Sequence, residues 1–561
     1  MQKVATRRLA LVVLVLSAVI AGWRFGFSAL AASQQDEIVS IYFPLVFLEN
    51  ADESSGDLYI EHTVLYQSVQ DTSNDVTLVA HKPALLRIYA KWDGDPGNAA
   101  LPVAEILVEG LRDGVPFDSL ELGPQPISVN PSDDNMASTL NVELPGGWLE
   151  GELGLRVTID PGDAVAEADE SNNVVEDAFT FQEVAPLDLT IVPIIYVDSQ
   201  TGVTFSEATQ DPLSQWLLTA FPLSTVNVNF HTPYTFTGDL RQGDEWVRLL
   251  NEVTNIWATE VGVGSSHVYY GLIPNSTSAG GSWFSGGISG LGWIGQRVSI
   301  GIHFGTDNGE SGGHEIGHNF GRYHAPCGNP NSVDPNFPYP NASIGVYGVD
   351  TSADTVLAPD VTHDMMSYCG PEWVSDYTYE GLYQDQFLRG GKVGTKGAGL
   401  LIRATVEGET LSLLPIYRLD VPVIPPEGSG DHLVQLLDDS GSPVATYPAV
   451  LFEAEELGVR AETIMAYVPA SPELAEVATQ VRILRKGEVV AERAIDLSDS
   501  GTVDGPAAVI NSSDKAIHMN WWTRGTAGIV QFSPDGEHWS TIGSDIVSGR
   551  FKINRDHLVQ A

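Results

Sequence analysis

Three histidines at fixed spacing constrain the fold of this chain more than any other feature of its sequence. His314 and His318 are four residues apart, so on a helix both imidazoles project from one face. His324 lies six residues beyond His318 and would point away from the pair on a continuous helix. The chain must therefore turn between them, and Gly321 is the residue best able to adopt the left-handed conformation that ends a helix.

These residues form a candidate metal centre. Three imidazoles leave one tetrahedral position of a zinc ion open, which is the arrangement of catalytic zinc sites. Glu315 lies beside the two helical histidines, where a carboxylate can take a proton from a metal-bound water. Buried histidines that are merely hydrogen-bonded are the alternative. The sequence predicts that His314, His318 and His324 hold Zn²⁺ and that Glu315 is catalytic.

The segment from 314 to 324 matches H-E-x-x-H-x-x-G-x-x-H at every fixed position, and it resembles the metzincin metallopeptidases. Residues 364–368 provide the Met-turn that this family requires. By this resemblance Met366 lies beneath the metal, and Tyr368 is a second catalytic residue that approaches the zinc, with an ordinary packed tyrosine as the alternative. The resemblance also implies that substrate lies along a sheet edge, and the alternating strand at 296–304 is the candidate edge.

The predicted fold class is multidomain, with an α/β zincin-type (metzincin) catalytic domain flanked by all-β sandwich modules. Strands and helices alternate over 184–395, the catalytic domain. Strand patterns without helical periodicity fill 396–500, a β-sandwich module, and 501–561, a small C-terminal β module similar to fibronectin-type repeats.

A β-rich segment at 55–183 precedes the catalytic domain, and its pattern is self-contained. It closes with an acidic run at 160–174 that contains D-P and E-x-D-E-S-N-N. This run resembles the signature of the CARDB family of extracellular β-sandwiches. The resemblance implies a sandwich and no defined ligand.

The N-terminus is typical of an export signal. Basic residues precede an apolar run at 9–21, and residues 29–31 read A-L-A, as at a cleavage site. A retained membrane anchor is the alternative, but the run is short for a spanning helix. We therefore predict a signal peptide at 1–31, a linker at 32–54, and a secreted or cell-surface protein with no membrane span after processing.

Cys327 and Cys369 are the two cysteines of the chain. In an exported protein a lone pair is more often a disulfide than two free thiols. The bond would tie the segment after His324 to the predicted Met-turn.

Acidic residues outnumber basic ones by 73 to 28, which gives a formal net charge of −45. This charge repels nucleic acid and anionic membranes, so neither is a predicted partner. The acidity fits solubility outside the cell. Binding of Ca²⁺ by carboxylate clusters is the alternative, although no loop has the spacing of a known calcium motif.

Together these features predict a secreted zinc-dependent metalloendopeptidase. It would hydrolyse peptide bonds of an extended polypeptide by Glu-assisted attack of a zinc-bound water, and the β modules offer contacts to a surface or matrix protein. The alternative is an extracellular adhesion or matrix-binding protein with an inactive zincin domain. The intact Glu315 argues against that alternative, because a silent domain needs no base beside its ligands.

Overall fold

The computed structural model describes residues 56–561 with gaps at 95–100, 209, 277–280, 306–308, 390–394, 408–409, 424–429, 470, 496–508, 514, 521–527, 537, 548, 556–557 and 559–561. The predicted signal peptide and the whole of the predicted linker lie outside the described residues. Among the helices that are described, none is both long enough and apolar enough to cross a membrane.

The chain is mostly β and is built from several sheets, of which two form an N-terminal sandwich. Its strands are β1 (Leu58–Tyr66), β2 (Val69–Gln70), β3 (Leu78–Val79), β4 (Leu85–Trp92), β5 (Val103–Arg112), β6 (Val115–Pro126), β7 (Leu140–Glu143), β8 (Glu152–Ile159) and β9 (Val174–Gln182). The sheet orders are β1-β4-β7 and β3-β9-β8-β5-β6. Every second residue of β8 is buried, as expected for a strand with one face on a core. Leu86, Ile106 and Val157 belong to the core that the two sheets share.

The middle of the chain combines a mixed sheet with helices. Its elements are β10 (Leu187–Asp198), β11 (Thr204–Phe205), α1 (Ser214–Ala220), β12 (Val226–Phe230), β13 (Tyr234–Gly238), α2 (Gly243–Glu260), β14 (Val268–Pro274), β15 (Gly290–Gly292), β16 (Val298–His303), α3 (Gly309–Asn319), β17 (Tyr347–Asp350), β18 (Thr355–Leu357), β19 (His363–Asp364), β20 (Glu372–Trp373) and α4 (Asp376–Arg389). The sheet order is β11-β10-β14-β16-β15, and β12 and β13 also pair with β10.

Helices α2 and α3 cover opposite faces of this sheet. Val253 of α2 packs in one core with Ile300 of β16, whereas Ile316 of α3 packs in another with Tyr270 of β14. Neighbouring residues of β14 fall alternately into these two cores, because successive side chains of a strand point to opposite faces. The helix that carries the first two histidines therefore lies against one face of the sheet, next to β15 and β16.

The edge strand differs from the prediction. The strand predicted at 296–304 exists as β16, but it lies between β14 and β15 and is not an edge. The edge is β15, which runs antiparallel to β16 within a glycine-rich stretch. Its sequence, Gly-Leu-Gly, has none of the β-branched or aromatic side chains that mark a strand, so its pattern does not predict one.

The N-terminal sandwich is joined to the middle part by one strand pairing and by hydrogen bonds. Strand β2 pairs with β17 instead of with the sandwich sheets. The indole N–H of Trp373 donates to the carbonyl of Ser68 at 3.1 Å, and the N–H of Thr77 donates to Glu380 at 2.7 Å. Alternation within strands does not reveal such bonds, because they join residues about 300 positions apart.

The C-terminal part is β-rich. Its elements are β21 (Thr395–Glu407), β22 (Thr410–Leu413), β23 (Tyr417–Val423), β24 (His432–Leu437), β25 (Pro443–Pro448), β26 (Val450–Glu456), β27 (Val459–Pro469), α5 (Pro472–Val477), β28 (Gln480–Arg485), β29 (Glu488–Ala494), β30 (Val509–Ser512), β31 (Ala516–Asn520), β32 (Gly528–Phe532), β33 (Ser540–Ile546) and β34 (Arg550–Asn554). Sheet β22-β21-β27-β26, with β23 also paired to β21, shares a core with sheet β25-β24-β28-β29. The orders of the last two small sheets are β30-β31-β34 and β32-β33.

Strands β26 and β27 form a hairpin that packs against the middle of the chain. Its two-residue turn is Leu457-Gly458, with φ of 44° and 82°, as in the turns that match the twist of paired strands. Phe452 of β26 is fully buried, and its ring lies 6.2 Å from that of Trp257 and 5.9 Å from that of Trp293. The hairpin therefore belongs to the same hydrophobic core as α2 and the mixed sheet.

Candidate metal centre

Helix α3 carries the first two histidines and ends where the sequence predicts. Gly321 has a φ of 78°. Its N–H donates to the carbonyl of His318 at 2.8 Å, and the N–H of Arg322 donates to the carbonyl of Gly317 at 3.1 Å. This pair of bonds is the Schellman motif, which closes a helix with a left-handed residue. The turn brings His324 back toward the helix.

The three imidazoles converge on one point. Nε2 of His318 and Nε2 of His324 are 3.2 Å apart. The ring of His314 lies with its centroid 4.9 Å from that of His318 and 5.3 Å from that of His324. All three side chains are buried.

The other nitrogen of each ring is held by the backbone. Each Nδ1 lies at hydrogen-bond distance from a carbonyl oxygen: His314 from Met365 at 2.7 Å, His318 from Arg322 at 2.7 Å, and His324 from Asn331 at 2.6 Å. Because a carbonyl only accepts, each neutral ring carries its hydrogen on Nδ1 and leaves the lone pair of Nε2 free. This is how the ligand tautomer of histidine is fixed in metal sites.

A fourth side chain reaches the same point from the hairpin tip. Glu456 is 6% exposed, and its Oε2 lies 3.0 Å from Nε2 of His324, 3.9 Å from that of His314 and 4.0 Å from that of His318. Nothing in the sequence pattern points to this residue, which lies 132 positions after His324 and belongs to no spacing motif. A contact of this kind is set by how two distant sheets pack.

The four atoms fit a metal ion. They all lie within 4.8 Å of one another, and in a tetrahedral zinc site with bonds of ~2.0–2.1 Å the ligand atoms are about 3.3 Å apart. Nε2 of His314 has no hydrogen-bond partner although it is buried, which is rare for a polar atom. Within the described parts of the chain, this is the one group of histidine, cysteine and acidic side chains close enough to share an ion.

The electrostatics also favour a bound cation. Burial lowers the pKa of His314, and burial together with the neighbouring histidines lowers that of His318 well below its usual value. Both rings are therefore neutral at neutral pH, which is the form that coordinates metals.

Glu315 lies beside the group and is held under the edge strand. It is 3% exposed, and its Oε2 is buried without a hydrogen-bond partner. A Cβ on Gly290 would lie 2.6 Å from Cδ of Glu315, and one on Gly292 would lie 2.6 Å from the Glu315 carbonyl oxygen. Only glycines let β15 approach so closely. Burial raises the pKa of Glu315 well above its usual value, and the charge of Glu456 adds to this effect.

The predicted Met-turn packs against α3. The carboxylate of Asp364 accepts from the N–H of Met366 at 2.8 Å and from that of Ser375 at 2.9 Å, which fixes the turn. A Cβ on Gly317 would lie 2.5 Å from the sulfur of Met366. Met366 is thus in contact with the helix between its two histidines. The hydroxyl of Tyr368 lies 3.3 Å from Nε2 of His324.

The predicted disulfide between Cys327 and Cys369 is present, with a Cα–Cα distance of 5.7 Å. Backbone bonds reinforce it. The N–H of Ala325 donates to the Met366 carbonyl at 2.8 Å, and that of Tyr368 donates to the Cys327 carbonyl at 3.1 Å. The segment after His324 is therefore held along the predicted Met-turn.

Comparison with known proteins gives only distant likenesses. No protein-family model and no curated protein matches this chain. Among solved structures, the CARDB domain of a Pyrococcus furiosus protein, in complex with di-metal ions, is 18% identical; it covers 23% of this chain and 94% of its own, with a TM-score of 0.15. A domain of a Methanosarcina acetivorans cell surface protein is 20% identical, with coverage of 22% and 91% and a TM-score of 0.15. A Parabacteroides merdae β-glucuronidase is 9% identical, with coverage of 89% and 74% and a TM-score of 0.15.

These comparisons indicate a coarse similarity to CARDB β-sandwiches over 23% of the chain.

Proposed function

We propose that the protein is a secreted zinc-dependent metalloendopeptidase whose metzincin-like α/β catalytic domain contains the mixed sheet, α2, α3 and the Met-turn. One observation carries the proposal. Three Nε2 lone pairs, each fixed by a backbone bond at Nδ1, converge beside a buried carboxylate, Glu315, that has an oxygen without a partner. Imidazole and carboxylate ligands in near-tetrahedral spacing are those that zinc prefers.

A zinc ion held by His314, His318 and His324 would polarise a peptide carbonyl and lower the pKa of a water molecule in the site. The charge of a bound ion would favour the ionised form of Glu315. Its buried Oε2 has no other partner and would then accept the proton of that water and deliver it to the leaving amine. The hydroxyl of Tyr368 would donate to the oxyanion that develops on the carbonyl.

The edge strand β15 supports an extended polypeptide as the substrate. It lies directly against Glu315 and is the last strand of its sheet. An extended chain can add to such an edge through backbone hydrogen bonds, which would place a peptide bond beside the base.

The alternative, an adhesion or matrix-binding protein with an inactive centre, is favoured by one observation. Glu456 gives the metal group four protein ligands, and structural zinc sites are closed in this way. The unpaired Oε2 of Glu315 argues against this alternative, because a purely structural site has no need of a buried carboxylate oxygen without a partner.

The test separates metal binding from catalysis. Four full-length proteins are loaded with zinc: wild type, Glu456→Gln, Glu315→Gln and the double variant. Zinc content is measured by mass spectrometry, and cleavage is measured on a set of unstructured peptides. Since a general base contributes about 10²–10⁴-fold, Glu315→Gln should abolish most cleavage and leave zinc content unchanged.

Glu310→Gln, on the exposed first turn of the same helix, is the matched control and should keep both properties. Zinc-loaded protein that shows no Glu315-dependent cleavage in either background would contradict the proposal.

A further inference from the structure

We propose that hairpin β26–β27 makes this enzyme latent: its tip lies against the three histidines, beside the edge strand where substrate would bind, and Glu456 takes the ligand position that catalysis needs free. The inference rests on the proposed peptidase function, since latency has meaning only for an active centre.

The first observation is the position of Glu456. Its carboxylate oxygen is 3.0 Å from Nε2 of His324 and is buried with the histidines. A catalytic zinc site has three protein ligands and an open fourth position, whereas four protein ligands close the site. Glu456 therefore stands where water and the substrate carbonyl would have to enter.

The residues next to Glu456 hold the tip on both sides. The N–H of Ile294, just beyond the edge strand, donates to the carbonyl of Glu453 at 2.8 Å. On the other side, the hydroxyl of Ser332 donates to Glu455 at 2.5 Å. The tip thus spans from the end of β15 to the segment that supports His324. An extended substrate would need the same backbone groups near β15, so hairpin and substrate compete for one place.

The hairpin is anchored behind its tip, so the contact with the histidines is not a chance position of a loop. Phe452 is fully buried among the rings of Trp257 and Trp293. The hydroxyl of Thr463 on β27 donates to Asn251 of α2 at 2.8 Å. At the turn the side chain of Leu457 is half exposed, and the contacts of the tip are hydrogen bonds. Opening therefore breaks these bonds and leaves the buried anchor of the hairpin intact.

Two features distinguish a latent centre from a permanently closed one. Glu315 retains a buried oxygen without a partner, which a closed structural site does not require. The ring of Tyr368 lies 5.1 Å from that of His324, and its hydroxyl forms a hydrogen bond with Glu456. Removal of one carboxylate would leave the ligands, the base and the oxyanion donor all in place.

The experiment measures whether an added ligand can reach the fourth coordination position of the metal, and it does not rely on catalysis. Wild type, Glu456→Gln and Glu453→Gln are loaded with Co²⁺, and acetohydroxamate, which needs a free metal position, is titrated while the visible spectrum is recorded. Glu453 is on the same strand with an exposed side chain, so its substitution is the control. Glu456→Gln should bind the hydroxamate at least tenfold more tightly than wild type and the control, with a changed spectrum. Peptide cleavage by the zinc-loaded protein should rise by at least the same factor.

A second variant, Glu456→Asp, withdraws the carboxylate by one methylene and should give an intermediate affinity; thermal unfolding verifies that each variant is folded. Equal hydroxamate affinity in wild type and Glu456→Gln, or loss of metal from the folded Glu456→Gln protein, overturns the inference. Tighter hydroxamate binding without any peptide cleavage instead supports the blocked ligand position and contradicts the peptidase function, so the two failures are distinguishable.

Discussion

The close approach of strand β15 to Glu315 can be tested with a single added methyl group. In Gly290→Ala the new Cβ would overlap Oε1 of Glu315 and lie 2.6 Å from its Cδ, so either the strand or the carboxylate must move. Overpacking of this kind costs about 1–3 kcal/mol. If this cost destabilises the position of Glu315 that cleavage requires, kcat/KM drops about 5- to 150-fold, since about 1.4 kcal/mol is a factor of ten.

The assay is peptide cleavage by zinc-loaded protein in the Glu456→Gln background, with zinc content measured in parallel. Zinc should be unchanged, because neither Gly290 nor Glu315 is a ligand. Gly123→Ala is the control, since a Cβ there meets nothing within 4 Å. If Gly290→Ala cleaves peptides as fast as its control, Glu315 is not placed under the edge strand as described.

Three further predictions concern the ligands, the disulfide and one buried acid. His324→Ala should lower zinc affinity and regain part of its activity in excess zinc; zinc affinity equal to wild type in a chelator competition would remove His324 from the ligand set. Replacing both Cys327 and Cys369 by Ser removes a disulfide that closes a loop with a sequence separation of 42. In the chain-entropy model this closure contributes about 4 kcal/mol to the free energy of unfolding. Unfolding of this region should therefore begin at a lower urea concentration than in the oxidised protein. Burial, with the charges of Glu310 and Asp364, raises the pKa of Glu372 from its usual 4.5 to about 8. Because the folded state then binds more protons than the unfolded state, the free energy of unfolding should fall as pH rises from 4.5 to 8. The variant Glu372→Gln should remove this contribution to the pH dependence of the free energy of unfolding.

The local parts of the centre could be predicted from the sequence because they depend on short-range geometry. Helical spacing brings His314 and His318 to one face, and the left-handed preference of glycine at Gly321 returns the chain. The disulfide followed from the two cysteines and their places near these elements. The Gly-Leu-Gly edge strand, by contrast, has no strand signature of its own, because its glycines serve the contact with Glu315.

The long-range parts could not be predicted. Glu456 meets His324 only because Phe452 packs on Trp257 and Trp293, and no periodicity in one segment encodes packing between two sheets. For the same reason the pairing of β2 with β17, which joins the N-terminal sandwich to the middle of the chain, was not anticipated.

The peptidase assignment can be tested directly by sequencing the new N-termini that the zinc-loaded Glu456→Gln protein creates in a complex mixture of unfolded proteins. We expect many internal cleavages that disappear with a chelator, return when zinc is restored, and are absent when Glu315→Gln is added. A protein that carries zinc at His314, His318 and His324 but creates no new N-termini would contradict the assignment of a metalloendopeptidase.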